Sequence, residues 1–449
     1  MSRYQRYPEY KDSGVEWLGI VPSHWKIKRL GSFFEERRQK VNDKDYQALS
    51  VTMQGIVPQL DTAAKTDAGD NRKLVLKNDF VINSRSDRKG SSGISKLDGS
   101  VSLISIVMTP KSINPSFAHH LLRSYPFQEE FYRYGKGIVA DLWSTNSSEM
   151  KNIFIPEIPK AESESIAAFL DYETSKIDDL IEKQQQLIEL LKEKRQAVIS
   201  HAVTKGLNSE VPMKGSGVEW LGEVPAHWDV RRLKHTSDLQ SGIPKGKDLT
   251  GKKYISVPML RVANVQDGYL NLEDVHLMQI EPEQLERYSL RIGDVLMNEG
   301  GDNDKLGRGA IWTGGISHCI HQNHVFAIRP YSIEPEWLDM ITRASYAKFH
   351  FYSVAKQSTN LASISSTNIK ETPLAIPPKL ERSEILAYLS RQLDKLSCIE
   401  KRCFAQIELL QERRTALISA AVTGKIDVRN WVAPTNDTEV NQEPQEATA

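Results

Sequence analysis

The chain carries one short motif twice, and this repetition limits its possible architecture more than any other feature. The segment Ser13–Trp25 returns as Ser216–Trp228 with eleven of its thirteen residues identical, at an offset of 203 residues. A second pair of segments, Leu187–Thr204 and Gln406–Thr423, is offset by 219 residues, so the second copy has the longer middle. The repeated unit is therefore a short motif, a variable middle and a helical segment. Two such units predict two equivalent structural supports, each of which holds a different domain.

The repeated motif is expected to be structural. It combines Gly, Trp, Pro and His without helical or strand periodicity. Trp25 and Trp228 are predicted to be packing anchors, because a buried indole fixes a chain segment in place. Nothing in the motif requires a chemical role.

Composition excludes several classes of protein. The chain has 449 residues, of which 39% are hydrophobic and 26% charged, as is typical of soluble proteins with more than one domain. It shows neither the apolar core of a signal peptide nor an apolar run of membrane-spanning length, so we expect a cytoplasmic protein. Cys319, Cys398 and Cys403 have no framework spacing, which fits a reducing compartment.

The formal net charge is +0. A DNA-binding protein that acts alone would normally be strongly basic. Neutrality therefore requires either that basic and acidic surfaces are segregated or that partner subunits share the phosphate contacts.

The two middles have mixed secondary-structure patterns. In the first, the pattern predicts strands at Tyr46–Thr52 and Ser100–Met108 and one helix at Phe117–Tyr134. In the second, the equivalent helix runs from about Pro335 to Tyr352. The middles close with two Ser-Thr-Asn runs, Ser144–Asn146 and Ser366–Asn368, that we expect to be equivalent.

Each middle is followed by a predicted long helix with residues at heptad spacing. The first row of positions is Ile177, Gln184, Leu191 and Val198, then Leu396, Cys403, Leu410 and Leu417. The second row, three residues further on, is Leu180, Leu187 and Lys194, then Ile399, Gln406 and Arg413. One helix cannot bury such a seam alone, so the two helices are expected to pack together. The predicted helix- or subunit-packing residues are Ile177, Leu180, Leu187, Leu191, Val198, Leu396, Ile399, Leu410 and Leu417.

Catalytic motifs are missing from the sequence. It contains no phosphate-binding loop, no amino-methylation motif, no nucleophile elbow and no HExxH. The strongest metal candidate is His318, Cys319 and His321, whose side chains are ligands that zinc accepts. Their spacing does not complete a ligand set, so no metal is predicted. A metal-dependent enzyme built on these three residues stays open as one alternative.

Polar loops with basic residues follow equivalent strands in the two middles. One loop comes after Asp79–Asn83 and the other after Asp294–Asn298. Arg, Lys, Asn and Gln are the side chains that bond phosphates and base edges. Any one of them is as easily a solvated surface residue, but their occurrence in both halves favours DNA contact. The predicted DNA-binding residues are Arg85, Arg88, Lys89, Lys136, Lys305, Arg308, Lys356, Gln357 and Asn360.

These features together resemble a known family. The repeated Gly-Val-Glu-Trp-Leu-Gly and Val-Pro-x-His-Trp sequences, the Ile-Pro pairs at Ile155 and Ile376, and the helix ends Arg195–Thr204 and Arg414–Thr423 carry the resemblance. The chain is similar in these respects to the DNA-specificity (S) subunit of type I restriction-modification enzymes. The resemblance extends to about Asp427.

The resemblance implies an α+β fold. Two mixed α/β target-recognition domains would sit on a pseudo-two-fold frame, joined by two long antiparallel, coiled-coil-like helices. The predicted boundaries are 1–25 and 208–228 for the repeat motifs, 26–157 and 229–378 for the recognition domains, 158–207 and 379–427 for the helices, and 428–449 for a disordered tail.

The resemblance also implies a division of labour. Such a subunit is non-catalytic and binds no cofactor. Each recognition domain reads one half of a bipartite, asymmetric site in double-stranded DNA, and the helices set the spacer and dock two methyltransferase (M) subunits. Those subunits use S-adenosylmethionine to methylate adenine N6, and restriction (R) subunits use ATP and Mg. The alternative is a coiled-coil scaffold or interaction protein without DNA specificity.

Overall fold

The computed structural model describes residues 4–59, 69, 71–137, 143–244, 250–301, 306–357 and 362–434. Its contacts divide the chain into two compact units, unit 1 (Met1–Gln184 with Ala405–Ala449) and unit 2 (Gln185–Phe404). Each unit holds one middle and part of both long helices. The predicted boundaries instead set the helices apart as separate segments. The division differs because each helix part supplies buried side chains to the core of its unit, such as Phe169 in unit 1 and Ile385 in unit 2.

Unit 1 begins with short strands and continues into a mixed domain. Its strands are β1 (Tyr10–Asp12), β2 (Ile20–Pro22), β3 (Lys26–Arg29), β4 (Phe34–Glu36), β5 (Lys40–Val41), β6 (Leu49–Thr52), β7 (Gly55–Pro58), β8 (Arg72–Val75), β9 (Phe80–Asn83), β10 (Ser92–Ile94), β11 (Gly99–Val101), β12 (Ser105–Pro110) and β13 (Phe154–Glu157). Its short helices are α1 (Pro115–Arg123), α2 (Tyr125–Arg133) and α3 (Ser147–Asn152).

The first long helix, α4 (Lys160–Lys205), begins in unit 1 and ends in unit 2. Unit 2 continues with further short elements. Its strands are β14 (Met213–Gly215), β15 (Glu223–Pro225), β16 (Asp229–Arg232), β17 (Ser237–Ser241), β18 (Ile255–Leu260), β19 (His276–Ile280), β20 (Val295–Asn298), β21 (Gly300–Gly301), β22 (Gly309–Ile311), β23 (Ile320–His321), β24 (Val325–Pro330), β25 (Lys356–Gln357), β26 (Ala362–Ser363) and β27 (Pro373–Ile376). Its short helices are α5 (Pro282–Tyr288), α6 (Pro335–Arg343), α7 (Ser345–Val354) and α8 (Ser366–Lys370). The second long helix, α9 (Lys379–Val422), begins in unit 2 and ends in unit 1. None of the helices in the described ranges is long and apolar enough to cross a membrane.

The central sheets of the two units have the same strand order. In unit 1 the order is β10-β9-β12-β4, and in unit 2 it is β22-β20-β24-β17. The registers also agree, because Asn83 pairs with Ser105 in one sheet and Asn298 pairs with Val325 in the other. The predicted correspondence of Asp79–Asn83 with Asp294–Asn298 is therefore confirmed by the pairing of β9 and β20.

Buried aspartates at the start of these strands are neutralised in different ways. Asp79 accepts hydrogen bonds from the guanidinium of Arg37, which follows β4. Asp294 accepts them from Arg329, which lies in β24. A buried carboxylate needs a paired cation in either case. The two domains thus keep the acidic residue and supply its partner from different strands.

Two predicted elements of unit 1 are wrong in detail. The predicted strand Ser100–Met108 is two strands, β11 and β12, because the amide of Ser105 closes a turn by donating to the carbonyl of Ser102 at 3.0 Å. The turn moves the chain from the β8 sheet to the β9 sheet. The predicted helix Phe117–Tyr134 is two helices, since Ser124 adopts an extended conformation.

Unit 2 contains an equivalent break between two helices, and no proline follows it there. Ala344 separates α6 from α7, where sequence periodicity predicted one helix. Side chains of α4 satisfy the exposed backbone groups at the break. Ser200 Oγ accepts from the amide of Ser345 at 2.8 Å, and the Gln196 amide donates to the carbonyl of Arg343 at 2.6 Å. The periodicity of the sequence cannot predict tertiary contacts of this kind.

The two rows of the predicted seam differ in burial, and a second row of buried or half-buried residues lies at other positions. Ile177, Leu191 and Leu417 are buried, and Val198, Leu396 and Leu410 are half-buried. In contrast, Leu180, Leu187 and Ile399 are 47%, 38% and 40% exposed. The second row lies four residues after the first. Its members are Ile181, Ile188, Arg195 and Ala202 in α4, and Glu400, Ile407, Arg414 and Ala421 in α9.

The corrected second row places charged residues on the inward side of the helices. In unit 2, Arg195 of α4 pairs with Glu400 of α9 at 3.0 Å. In unit 1, Arg414 of α9 pairs with Asp178 of α4 at 2.9 Å. The Arg195–Glu400 pair is half-buried, whereas Asp178 is 52% exposed. Charged residues therefore occupy positions that the predicted seam did not include.

The segment after α9 is packed beyond the predicted start of a disordered tail. Val428 is buried, and the Trp431 ring meets the Phe169 ring edge-on at 5.6 Å. The prediction of disorder from residue 428 is therefore wrong for 428–431. Residues 435–449 lie outside the described residues.

Candidate nucleic-acid interface

The repeated motif joins each domain to the long helices. In unit 1, Trp25 Nε1 donates to Glu162 Oε1 at 2.9 Å, and His24 Nε2 lies 2.7 Å from Glu162 Oε2. The Tyr7 hydroxyl also donates to Glu162 Oε1, at 2.7 Å. Glu162 lies in the first turn of α4, so the motif holds the beginning of that helix. We call this arrangement of motif and glutamate the junction.

Unit 2 repeats the junction with one partner fewer among the described residues. Trp228 Nε1 donates to Glu381 Oε1 at 3.1 Å, and His227 Nε2 lies 2.7 Å from Glu381 Oε2. Glu381 lies in the first turn of α9. The prediction that Trp25 and Trp228 are packing anchors is confirmed, since both side chains are fully buried.

Each junction also receives the end of the other long helix. Gly424 follows α9, and a Cβ built on it would lie 2.3 Å from Pro22 Cδ and 3.0 Å from the Trp25 ring. Gly206 follows α4, and a Cβ there would lie 3.3 Å from the Trp228 ring. Both glycines have positive φ, which other residues adopt at a cost. In each unit the junction therefore holds the start of one helix and the end of the other.

Two of the DNA-binding residues predicted for unit 1, Arg85 and Lys136, meet around Ser144. Arg85 and Lys136 both form antiparallel bridges with Ser144, one on each side of it. At a strand spacing of about 4.8 Å, Arg85 and Lys136 lie about 10 Å apart across Ser144. All three residues are exposed. We call Arg85, Ser144 and Lys136 row 1.

Unit 2 has the same arrangement on regular strands. Gly300 of β21 and Lys356 of β25 both pair with Ser363 of β26. Residues in register across strands project to one face of a sheet. Ser363 and Lys356 are exposed, and Gly300 is half-buried. We call Gly300, Ser363 and Lys356 row 2.

The two rows define which residues are equivalent, and they correct one prediction. Ser144 matches Ser363, so the run that begins at Ser144 corresponds to 363–365 and not to Ser366–Asn368. Backbone bonds agree, because Thr145 donates to the carbonyl of Ser84 while Ile364 donates to that of Glu299. The repeated letters were coincidental, since the run at Ser366 lies inside helix α8.

The remaining predicted cations of unit 1 lie close to acidic residues. Lys89 forms an ion pair with Glu129, and the exposed Arg88 lies 3.7 Å from Asp87. Lys89 also borders an open pocket of about 610 Å³ next to row 1. Aromatic side chains, including Trp143, line part of this pocket. The surface beside row 1 thus combines aromatic rings with balanced charge.

The predicted residues of unit 2 divide into three groups. Lys356 and Gln357 are exposed on β25, next to row 2. Arg308 is half-buried, and its carbonyl accepts from the amide of Asn298 at 2.9 Å. Lys305 and Asn360 lie outside the described residues. DNA contact by any of these side chains stays a prediction.

One polar pair beside row 2 was missed from the sequence. His324 Nδ1 lies 2.8 Å from Glu299 Oε2, and Glu299 directly precedes Gly300. Both side chains are accessible. The signal that could have found the pair is the alignment of equivalent strands. Aligning β9 with β20 makes Glu299 equivalent to Ser84, and aligning β12 with β24 makes His324 equivalent to Ile104.

The residues of the metal alternative are held in other ways. The Cys319 side chain is buried, and burial raises the pKa of its thiol to about 12. His321 is buried with Nδ1 2.6 Å from the carbonyl of Val325. Within the residues that the structure describes, no group of three or more His, Cys, Asp or Glu side chains is placed to hold a metal ion.

Known proteins are similar to this chain along most of its length. No protein-family model matches. The chain is 25% identical over 446 residues to the type I restriction enzyme MjaVIII specificity subunit of Methanocaldococcus jannaschii, covering 94% of this chain and 98% of that protein. A shorter alignment, 27% identical over 207 residues, covers 45% of this chain and 47% of a second specificity subunit from that organism, about half of its length.

A solved structure shows the same fold. It is described as the structural basis of complex assembly and conformational transition of the type I R-M system. The TM-score is 0.67 at 15% identity, with 90% of this chain and 98% of that one covered. The fold is therefore that of a two-domain α+β protein with two long helices. The chain is similar over most of its length to type I restriction enzyme specificity subunits, and the resemblance predicted from its repeated motifs is confirmed.

Proposed function

We propose that this chain is the DNA-specificity subunit of a type I restriction-modification complex. Each unit would recognise one half of a bipartite, asymmetric site in double-stranded DNA. One observation carries the proposal. The two units are built alike, but they have different residues at equivalent positions. Both have one sheet order and one junction, yet Arg85 in row 1 stands where Gly300 stands in row 2.

An asymmetric DNA site suits this combination. Two identical reading domains related by symmetry would recognise a palindrome. Two domains built alike but with different exposed residues would recognise two different half-sites. The half-sites are then joined by a spacer that the protein does not read.

Partner subunits would carry out the chemistry. Two M subunits would bind S-adenosylmethionine and methylate adenine N6, and R subunits would use ATP and Mg, while this chain would act in the cytoplasm without a cofactor of its own. Equivalent exposed leucines on the long helices support two equivalent partner contacts. Leu190 of α4 is 59% exposed and Leu409 of α9, at the matching position of the repeat, is 64% exposed.

The test is a map of methylated adenines. A bacterial host without other adenine-N6 methylation would express type I M subunits with this chain, and a control strain would express the M subunits alone. We expect methylation at one bipartite, asymmetric sequence with a fixed spacer only when this chain is present. Assembly with M subunits but no sequence-dependent methylation would support the scaffold alternative and overturn the proposal.

The spacer gives a second, quantitative test. Four residues inserted into both helices, after Gln184 and after Phe404, lengthen each helix by about 6 Å at 1.5 Å per residue. That length corresponds to roughly two base pairs at about 3.4 Å each. The methylation map should then show a longer spacer between unchanged half-sites. An unchanged spacer would contradict a role of the helices in setting it.

A further inference from the structure

The alignment of row 1 with row 2 separates positions that the two domains share from positions where they differ. Lys136 and Lys356 are the same residue at the same place, each opposite an exposed serine. The neighbouring positions differ, since Arg85 stands opposite Ser144 where Gly300 stands opposite Ser363. Glu299 and His324 likewise occupy the positions of Ser84 and Ile104.

Contacts with DNA are also of two kinds, those with phosphates and those with base edges. Phosphate contacts hold a protein in register on any duplex and carry no sequence information, whereas contacts with base edges specify the sequence. Two domains that bind different half-sites need the same phosphate contacts and different base contacts. Lysine binds a phosphate as a point charge, whereas arginine forms paired bonds with guanine and a carboxylate accepts from the cytosine amino group.

We propose that Lys136 and Lys356 bind DNA phosphates in the same way in both domains. Arg85 then contacts base edges in one half-site, and the Glu299–His324 pair contacts base edges in the other. This assignment rests on the proposed function and deepens it, because it gives separate tasks to residues of the two rows. It also assigns Glu299 and His324 to DNA recognition.

A carboxylate beside Lys136 in row 1 gives the phosphate assignment a second test. Loss of the lysine should weaken DNA binding, and loss of the carboxylate should strengthen it. Lys136 Nζ lies 2.7 Å from Glu149 Oε1, so a phosphate that binds Lys136 must compete with this carboxylate. Lys136 is 73% exposed and Glu149 is 24% exposed, so water screens the lysine side of the pair and a phosphate can reach it. In unit 2 the equivalent of Glu149 is Asn368, since both are the third residue after a helix cap, and the Asn368 amide donates to the carbonyl of Val354. Row 2 has no carboxylate at that position.

The experiment uses the full chain assembled with M subunits and a library of random-sequence DNA duplexes. Selection for binding gives the recognised sequence, and salt titration on the selected duplex gives the number of phosphate contacts. Lys136→Gln and Lys356→Gln should each weaken binding by about threefold to tenfold and lower the salt slope by about one, with the selected sequence unchanged. Glu149→Gln should strengthen binding without changing that sequence.

The base-contact variants should behave in the opposite way. Arg85→Ala should relax one half-site only, and Glu299→Gln should change the other half-site only, each with little effect on the salt slope. Lys136→Arg restores the charge and should restore the salt slope.

Each outcome separates the inference from the proposed function. No enriched sequence from the unmodified complex would contradict the proposed function itself. An enriched sequence that changes in a lysine variant, or that survives intact in both Arg85→Ala and Glu299→Gln, would overturn only the assignment of residues.

Discussion

Trp25 donates a hydrogen bond from its indole to the carboxylate of Glu162, 137 residues away in the chain and 2.9 Å away in the structure. The bond is buried, and Tyr7 and His24 contact the same carboxylate. The repeated motif is thus kept for a structural reason, because it holds each domain at the ends of two long helices. A stable frame of this kind allows the exposed residues of the domains to change.

Removal of the carboxylate from the first junction should destabilise unit 1 strongly. Glu162→Ala leaves the buried indole of Trp25 and hydroxyl of Tyr7 without an acceptor, at a cost of about 3 to 5 kcal/mol. Hydrogen exchange of peptides from the start of α4 measures the loss locally. The matched control is Glu381→Ala in unit 2, where Glu381 is 28% exposed against 5% for Glu162. We expect a smaller cost there, about 1 to 2 kcal/mol, and equal costs would contradict the role given to burial.

The glycines that follow the long helices should tolerate substitution unequally. Gly424→Ala brings its Cβ within 2.3 Å of the rigid ring of Pro22, whereas at Gly206 the nearest atom is 3.3 Å away. Both substitutions pay about 1 to 2 kcal/mol for positive φ, but only Gly424→Ala must also displace its neighbour. Urea unfolding of the two variants should therefore rank Gly424→Ala as the more destabilising. The reverse order would contradict the packing of Gly424 against Pro22.

The sequence alone predicted the repeated architecture because its signals are local. Periodicity and the duplicated motif lie within short segments, and they predicted the two domains and both long helices. The first row of the helix seam was also predictable, as the burial of Ile177 and Leu191 shows. The equivalent loops followed from the strands before them.

The errors occurred where distant residues decide the structure. The break at Ala344 depends on Ser200 and Gln196, which lie about 150 residues earlier and satisfy its backbone groups. Row 2 of the candidate interface was hidden for the same reason, since Gly300 and Ser363 meet only through strand pairing. Comparison of the two sequences alone instead matched Ser144 with Ser366, which lies inside helix α8.

A buried aspartate in unit 2 should make stability depend on pH. Burial raises the pKa of Asp339 to about 6, against the opposing effect of Arg343. Below about pH 4 the carboxyl group is protonated in both the folded and unfolded states. Between about pH 4 and 6 only the unfolded state loses the proton, so the free energy of unfolding falls as pH rises.

Asp339→Asn should remove this dependence. We expect the variant to be more stable than the original by about 1 to 3 kcal/mol at pH 7.5 and to show little advantage at pH 4. Thermal unfolding across that range, with hydrogen exchange of α6 as a local measure, checks the result. An advantage that is constant with pH would show that the carboxyl group does not titrate as burial requires.

Truncation of the chain end should have effects that depend on where it is made. A stop after residue 434 keeps every residue of the described structure and serves as the reference chain. A stop after Asp427 also removes buried Val428 and the Trp431 ring against Phe169, which should cost about 2 to 4 kcal/mol. Trp431→Ala in the full-length chain separates loss of the ring from loss of chain length. Equal stability of the two truncated chains would contradict the packing of this segment.

The exposed leucines at matching positions of the repeat should be needed for partner binding and not for folding. Leu190→Asp and Leu409→Asp each place a charge on an exposed helix surface, so the isolated chain should lose less than about 0.5 kcal/mol. If each leucine contacts one M subunit, a single variant should retain one M subunit and the double variant none, because a charge in an apolar contact is costly. Native mass spectrometry of the purified complexes measures this stoichiometry, with Glu193→Gln as the control on the same helix. Full assembly of the double variant would show that partner subunits dock elsewhere on the chain.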